Sequence, residues 1–73
     1  MKTGQMVHMA NQIAAFFQAY PHDEAVEGVR KHILDFWEPR MRRQLLDHLA
    51  AGGDGLAPLV REAAGGLMEK PKN

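Results

Sequence analysis

Phe36-Trp37-Glu38-Pro39-Arg40-Met41-Arg42-Arg43-Gln44-Leu45 is the stretch in which one apolar helical pattern ends and the next begins, and it holds the only tryptophan of the chain. Proline has no backbone N–H to donate and biases the residue before it, Glu38, toward extended geometry, so a helix break is expected here. Pro39 then opens the new helix, a position it tolerates well. Arg40, Arg42 and Arg43 fall in or near the opening turn, against the positive end of the helix dipole, which costs roughly 0.3–1 kcal/mol each if nothing compensates. A compensating anion is therefore expected, inside this chain or on a partner. On a helical wheel Met41, Leu45 and Leu49 form the apolar stripe, with Leu46 at its edge. Arg40 and Arg43 point away from that stripe, whereas Arg42 lies between Leu49 and Leu46 and is aimed inward. A guanidinium there must run its methylenes out to water or find a carboxylate or carbonyl.

Downstream, the helix is expected to run to about Ala51, with Gly52-Gly53 supplying a left-handed stop. Asp54 can cap a short fourth helix, with Pro58 in its first turn and Leu56, Leu59, Val60 and Ala63 along one side. Gly65-Gly66 is expected to end it. Leu67 to Asn73 then forms a Pro/Lys tail with too little apolar content to dock, so residues 1–66 make a single helical domain and 67–73 a mobile extension.

Upstream, Pro21-His22-Asp23 is a turn, and Asp23 is the expected cap of a helix reaching Phe36 or Trp37. Val26, Val29, Ile33, Phe36 and Trp37 are its apolar stripe, and Glu27, Lys31 and Asp35, spaced i,i+4, mark a solvated face. Gly28 in mid-helix costs about 1 kcal/mol relative to Ala; a close helix approach would account for it, and equally so would a glycine that is simply tolerated there. The first helix runs from a Thr3 cap to about Tyr20. Its residues Met6, Met9, Ala10, Ile13, Ala14, Phe16, Phe17 and Tyr20 share an arc of about 160°. The opposite face, His8, Asn11, Gln12, Ala15, Gln18 and Ala19, has no acidic or basic side chain apart from one histidine. Solvated helix faces usually carry Lys and Glu, while interface centres are depleted in charge, so this face is a candidate contact surface. Short turns between helices throughout imply an all-α fold, a small bundle of three helices plus a short C-terminal one.

Composition narrows the function classes. At 73 residues with 45% apolar content the chain is one small domain, and such a core supplies only about 3–5 kcal/mol. With no cysteine, disulfides, zinc thiolates, iron–sulfur ligation and thiol nucleophiles are excluded. The formal net charge is zero, which argues against binding nucleic acid or anionic membranes through a general electrostatic field. The longest apolar run, Ile13 to Phe17, is far short of the roughly 20 residues of a spanning helix, and no signal-peptide core follows Lys2, so a cytoplasmic protein with no membrane role is expected. His8, His22, His32 and His48 lack the i,i+3 or i,i+4 spacing of helical metal pairs, and Gly52-Gly53-Asp54-Gly55 lacks the strand and Lys-Ser/Thr of a phosphate cradle. No carboxylate pair stands out as a general acid and base. No catalytic, cofactor-binding or metal-binding residue is therefore assigned to this chain.

Three segments carry a resemblance. Met9-Ala10-Asn11-Gln12-Ile13-Ala14-Ala15-Phe16-Phe17, then Phe36-Trp37-Glu38-Pro39-Arg40-Met41-Arg42, then Leu56-Ala57-Pro58-Leu59-Val60, in this order and spacing, resemble the delta subunit of NAD-dependent formate dehydrogenase. The likeness covers about Val7 to Arg61. The family commonly has Asp where this chain has Glu38, which keeps the charge. The resemblance implies a non-catalytic accessory subunit of a cytoplasmic complex, supporting its assembly or stability. It also implies larger partner subunits, the catalytic alpha subunit foremost, that carry a molybdenum or tungsten pterin cofactor, iron–sulfur clusters, FMN and NAD. The candidate partner contacts are Asn11, Gln12, Ala15, Gln18, Trp37, Pro39, Arg40 and Arg42. Two readings from other classes stand beside it. A helical nucleic-acid binder could use Arg40, Arg42 and Arg43 beside Trp37, with the third helix entering a groove. A metal or redox carrier could use the histidines and the five methionines, although the latter sit at apolar helical positions or termini and suit core filling better.

Overall fold

The computed structural model describes residues 2–68, and these form helices α1 (Thr3–Phe17), α2 (His22–Phe36), α3 (Pro39–Ala50) and α4 (Pro58–Met68). The five residues of the expected tail from Glu69 onward lie outside the described part. The break at Pro39 forms as the sequence requires. Trp37 and Glu38 are extended, with ψ of 138° and 154°, and Pro39 occupies the first helical position of α3. The other end of α3 closes on glycine. Gly52 N–H donates to Leu49 O at 3.0 Å and Gly53 N–H to His48 O at 2.8 Å, with both glycines at positive φ (124° and 65°). This paired pattern satisfies carbonyls that the helix cannot bond internally.

The core is built from Met6, Ala10 and Ala14 of α1, Val29 and Ile33 of α2, Trp37, Leu45 of α3, Leu56, and Val60, Ala63, Ala64 and Leu67 of α4. Helix α4 is no appendage: it packs on all three other helices, most extensively on α2. Gly65-Gly66 accordingly does not end it. Two mid-helix glycines cost about 1 kcal/mol each in propensity, but Ala63, Ala64 and Leu67 are buried on either side of them, and tertiary packing outweighs propensity. The expected boundary after residue 66 thus falls inside a helix, with Leu67 in the core.

The caps also differ from expectation. Lys2, Pro21 and Glu38 hold the cap positions of α1, α2 and α3, and none makes a side-chain capping bond. Thr3 and Asp23 are already helical, where Asp23 with Glu24 complements the dipole of α2 instead. Helix α1 stops at Phe17, because Tyr20 N–H turns back to Phe17 O at 2.9 Å ahead of Pro21. Helix α4 begins at Pro58, four residues beyond the expected Asp54 cap. On α2 the expected Glu27–Lys31 pairing gives way to Arg30, whose Nε and Nη2 both donate to the Glu27 carboxylate.

Asn11 explains the start of α4. Its Nδ2 donates to Gly55 O at 2.9 Å, and its Oδ1 accepts from Ala57 N–H at 2.9 Å. The segment between α3 and α4 is thereby fastened to α1, and it is also held from two other sides. His48 Nε2 donates to Asp54 O at 2.8 Å, and Arg61 Nη2 donates to Gly53 O at 2.8 Å. Side chains of three helices thus fix a loop that has little apolar content of its own.

Candidate partner-docking surface

Not all of the apolar arc of α1 can face the core, because the arc is wider than the seam between neighbouring helices. Met6, Ala10 and Ala14 take the buried centre. Phe17, half-buried, leans on α2 at Gly28, where an added Cβ would sit 2.5 Å from the ring. Gly28 is therefore the close approach that its mid-helix position suggested. Met9, Phe16 and Tyr20 remain outside the core at 37%, 67% and 46% exposure. The Phe16 ring meets Phe17 edge-on with centroids 5.0 Å apart, and Tyr20 lies 5.5 Å from Phe17.

Between α1 and α2 these side chains leave an open groove of about 540 Å³. Met9, Ile13, Phe16 and Phe17 form the α1 wall, His32 stands on the α2 side, and Trp37 closes one end. Among the described residues, Gln12 and His32 are the lining residues with polar side chains besides the indole. Phe36, expected in the core, is 73% exposed and stacks on His32 with ring centroids 4.7 Å apart. It sits in the last turn of α2, where the chain turns away toward α3 and leaves the ring exposed among the described residues. Sequence reading missed Met9, Phe16, Tyr20 and Phe36 as surface residues. The available signal was the width of the α1 arc and the position of Phe36 beside a helix break.

The candidate contact residues divide into three groups. Gln12, Ala15 and Gln18 are exposed, as the charge-free face requires, and Gln12 links that face to the groove. Asn11 is spent internally on the α3–α4 loop. At the helix break, Pro39 and Arg40 are exposed and Trp37 is buried at 5%. Of the outcomes its inward placement left open, Arg42 takes a carbonyl: Nη1 donates to Trp37 O at 2.7 Å in a part-buried bond. The compensation for this arginine comes from a backbone carbonyl at the end of α2, with no anion involved. The side chains of Arg40 and Arg43 make no hydrogen bond or ion pair among the described residues, and both border a shallow cleft beside Pro39.

This arrangement weakens the nucleic-acid reading. Trp37 is too buried to stack on a base, and Arg42 is engaged, so two arginines remain of the cluster. Among the described residues there is no group of three His, Asp or Glu side chains placed to hold a metal. His22 instead pairs with Glu62 across α2 and α4 at 2.7 Å, both exposed. No helix among the described residues is long and apolar enough to cross a membrane.

Fold and surface together define a small all-helical chain whose most developed feature is an apolar groove continuous with an uncharged helix face. Residues 5–64 match the family model described as NADH-dependent formate dehydrogenase delta subunit FdsD, and the chain belongs to that family. No curated protein and no solved structure matches the chain.

Proposed function

We propose that the chain is a non-catalytic accessory subunit of a cytoplasmic NAD-dependent formate dehydrogenase complex, supporting assembly or stability of that complex. The observation that carries this reading is the family match over residues 5–64. The exposed apolar groove supports it, because contiguous apolar surface on a small chain is characteristic of a partner contact. In this reading the larger subunits hold the molybdenum or tungsten pterin cofactor, the iron–sulfur clusters, FMN and the NAD site, and the catalytic alpha subunit is the expected neighbour. The delta chain contributes surface, and its effect is thermodynamic: binding to the folded partner stabilises both by mass action. Affinity purification of the tagged chain from cells that express the whole complex tests this. Formate dehydrogenase subunits should co-purify in fixed proportion, and their absence from the eluate would reject the assignment.

A further inference from the structure

We infer that the α1–α2 groove receives an amphipathic helix of a partner subunit, oriented so that an acidic turn of that helix meets Arg40 and Arg43. The inference rests on the accessory-subunit reading and adds the surface, the secondary structure of the occupant and its charge.

The secondary structure follows from what the groove lacks. Its walls are side chains of two helices whose backbone groups are bonded internally, so no free strand edge is available for an extended segment to pair with. Gln12 and His32 alone cannot satisfy the alternating N–H and C=O groups of an extended chain against Met9, Ile13 and Phe16. A segment that enters must bring its backbone bonds already made, and a helix does so. Methionine and aromatic walls suit apolar side chains spaced i, i+3, i+4 along such a helix.

The charge follows from what surrounds the groove. From Thr3 to Pro21 the sequence contains no Asp, Glu, Lys or Arg, so the α1 side is electrostatically blank. Helix α2 offers Lys31 and Asp35, both exposed and of opposite sign. Beyond the Trp37 end the balance is positive by one charge: Glu38 and Asp47 stand against Arg40, Arg42 and Arg43. Arg42 is tied to Trp37 O, while Arg40 and Arg43 are exposed and make no ion pair among the described residues. They also lie in the first turns of α3, where the helix dipole adds to their field. An occupant with carboxylates at that end complements this charge, whereas a second copy of the chain would bring the same arginines.

A benzophenone amino acid at position 16, in the chain co-expressed with the whole complex, tests the contact directly. Phe16 is exposed, so the probe leaves the core intact. The expected crosslink is to a helical segment of another formate dehydrogenase subunit, apolar on one face and bearing Asp or Glu. A crosslink between two copies of this chain, to a segment without that pattern, or to no subunit of the complex, would overturn the inference. Independently, Phe16→Glu and the pair Arg40→Glu with Arg43→Glu should each lower co-purification by about tenfold or more, as loss of an interface anchor does. The arginine pair should also remove much of the salt dependence of capture. Circular dichroism checks that each variant is folded, and if Phe16→Glu is not, the arginine pair decides. Undiminished capture of the folded variants overturns the groove assignment while leaving the accessory role intact. Failure of the parent chain to capture any subunit rejects the role itself.

Discussion

Asn11 and Arg42 show how much a single side chain's partner matters in a molecule this small. Both ends of the Asn11 carboxamide are used, and the bond that its Oδ1 accepts from Ala57 N–H is part-buried. Asn11→Ala leaves that donor and the Gly55 carbonyl without their protein partner, and should cost about 1–3 kcal/mol in chemical denaturation. Asn11→Asp keeps the acceptor for Ala57 but faces a carboxylate toward Gly55 O, so it should recover only part of the loss. For Arg42 a charged donor on a carbonyl is worth about 1.5–3 kcal/mol, and the half-exposed position places it at the lower end. Arg42→Ala should therefore lower the denaturation midpoint of the isolated chain, whereas Arg43→Ala, exposed, should stay within about 0.5 kcal/mol of the parent. Equal effects of the two would contradict the assigned Arg42–Trp37 bond. A loss of assembly on removing Arg42 would then come through the orientation of Trp37 at the end of the groove.

At the scale of elements, the joins between helices carry the specificity. Gly28 admits the Phe17 ring, so Gly28→Ala sets a propensity gain of about 1 kcal/mol against overpacking of typically 1–3 kcal/mol. The net effect should be destabilising, and Phe17→Leu in the same chain should relieve it, a coupling visible in a double-mutant cycle. If Gly28→Ala instead raises the melting temperature, the ring yields and the contact is loose. At the α3 stop the backbone conformation itself is demanding. Gly52 has φ of 124°, where a Cβ is strained by about 1–3 kcal/mol. Gly52→Ala should lose about that much although nothing crowds the position in space. The same element logic explains why α4 ignores its glycine pair: Gly66 lies 3.4 Å, measured from an added Cβ, from the Arg30 side chain, and buried Ala64 and Leu67 flank the pair.

As a whole molecule the chain has a small core and leaves Met9, Phe16, Tyr20, Leu34 and Phe36 exposed among its described residues. A core surplus of about 3–5 kcal/mol is easily eroded, so thermal unfolding of the isolated chain should be low and broad by circular dichroism, and sharper and higher once the partner is bound. A sharp transition at high temperature in the isolated chain would contradict this. The charge-free face next to the groove allows a second measurement. Ala15 is exposed and outside the core, so Ala15→Glu should leave helicity unchanged. If the partner covers that face, the buried carboxylate should weaken co-purification by about tenfold or more, equivalent to about 1.4 kcal/mol. Undiminished assembly would confine the contact to the groove and the Trp37 end.

Periodicity was enough to determine that four helices form, and Pro39 and Gly52-Gly53 where α3 begins and ends, because these signals are local, whereas the expected caps and the Gly65-Gly66 stop failed. The 3.6-residue recurrence of apolar side chains, Pro39 after Glu38, and Gly52-Gly53 act through backbone geometry that neighbours along the chain already dictate. The inward register of Arg42 was legible for the same reason, since rotation per residue fixes a direction. What the direction led to was not legible: whether a carboxylate, a partner or the Trp37 carbonyl waited there depended on how α3 meets the end of α2. Asn11 could be placed on a polar face but not on Gly55 and Ala57, which lie 44 and 46 positions away in sequence. Phe16 and Phe36 carry the clearest lesson. Hydrophobicity made them core candidates, yet a side chain is buried only if another element arrives to cover it, and α4, which filled the core, was the helix whose glycines gave it least claim to do so. Local residue chemistry therefore determined which helices form and which faces are apolar, and only the tertiary arrangement decided which apolar face is left open as a groove.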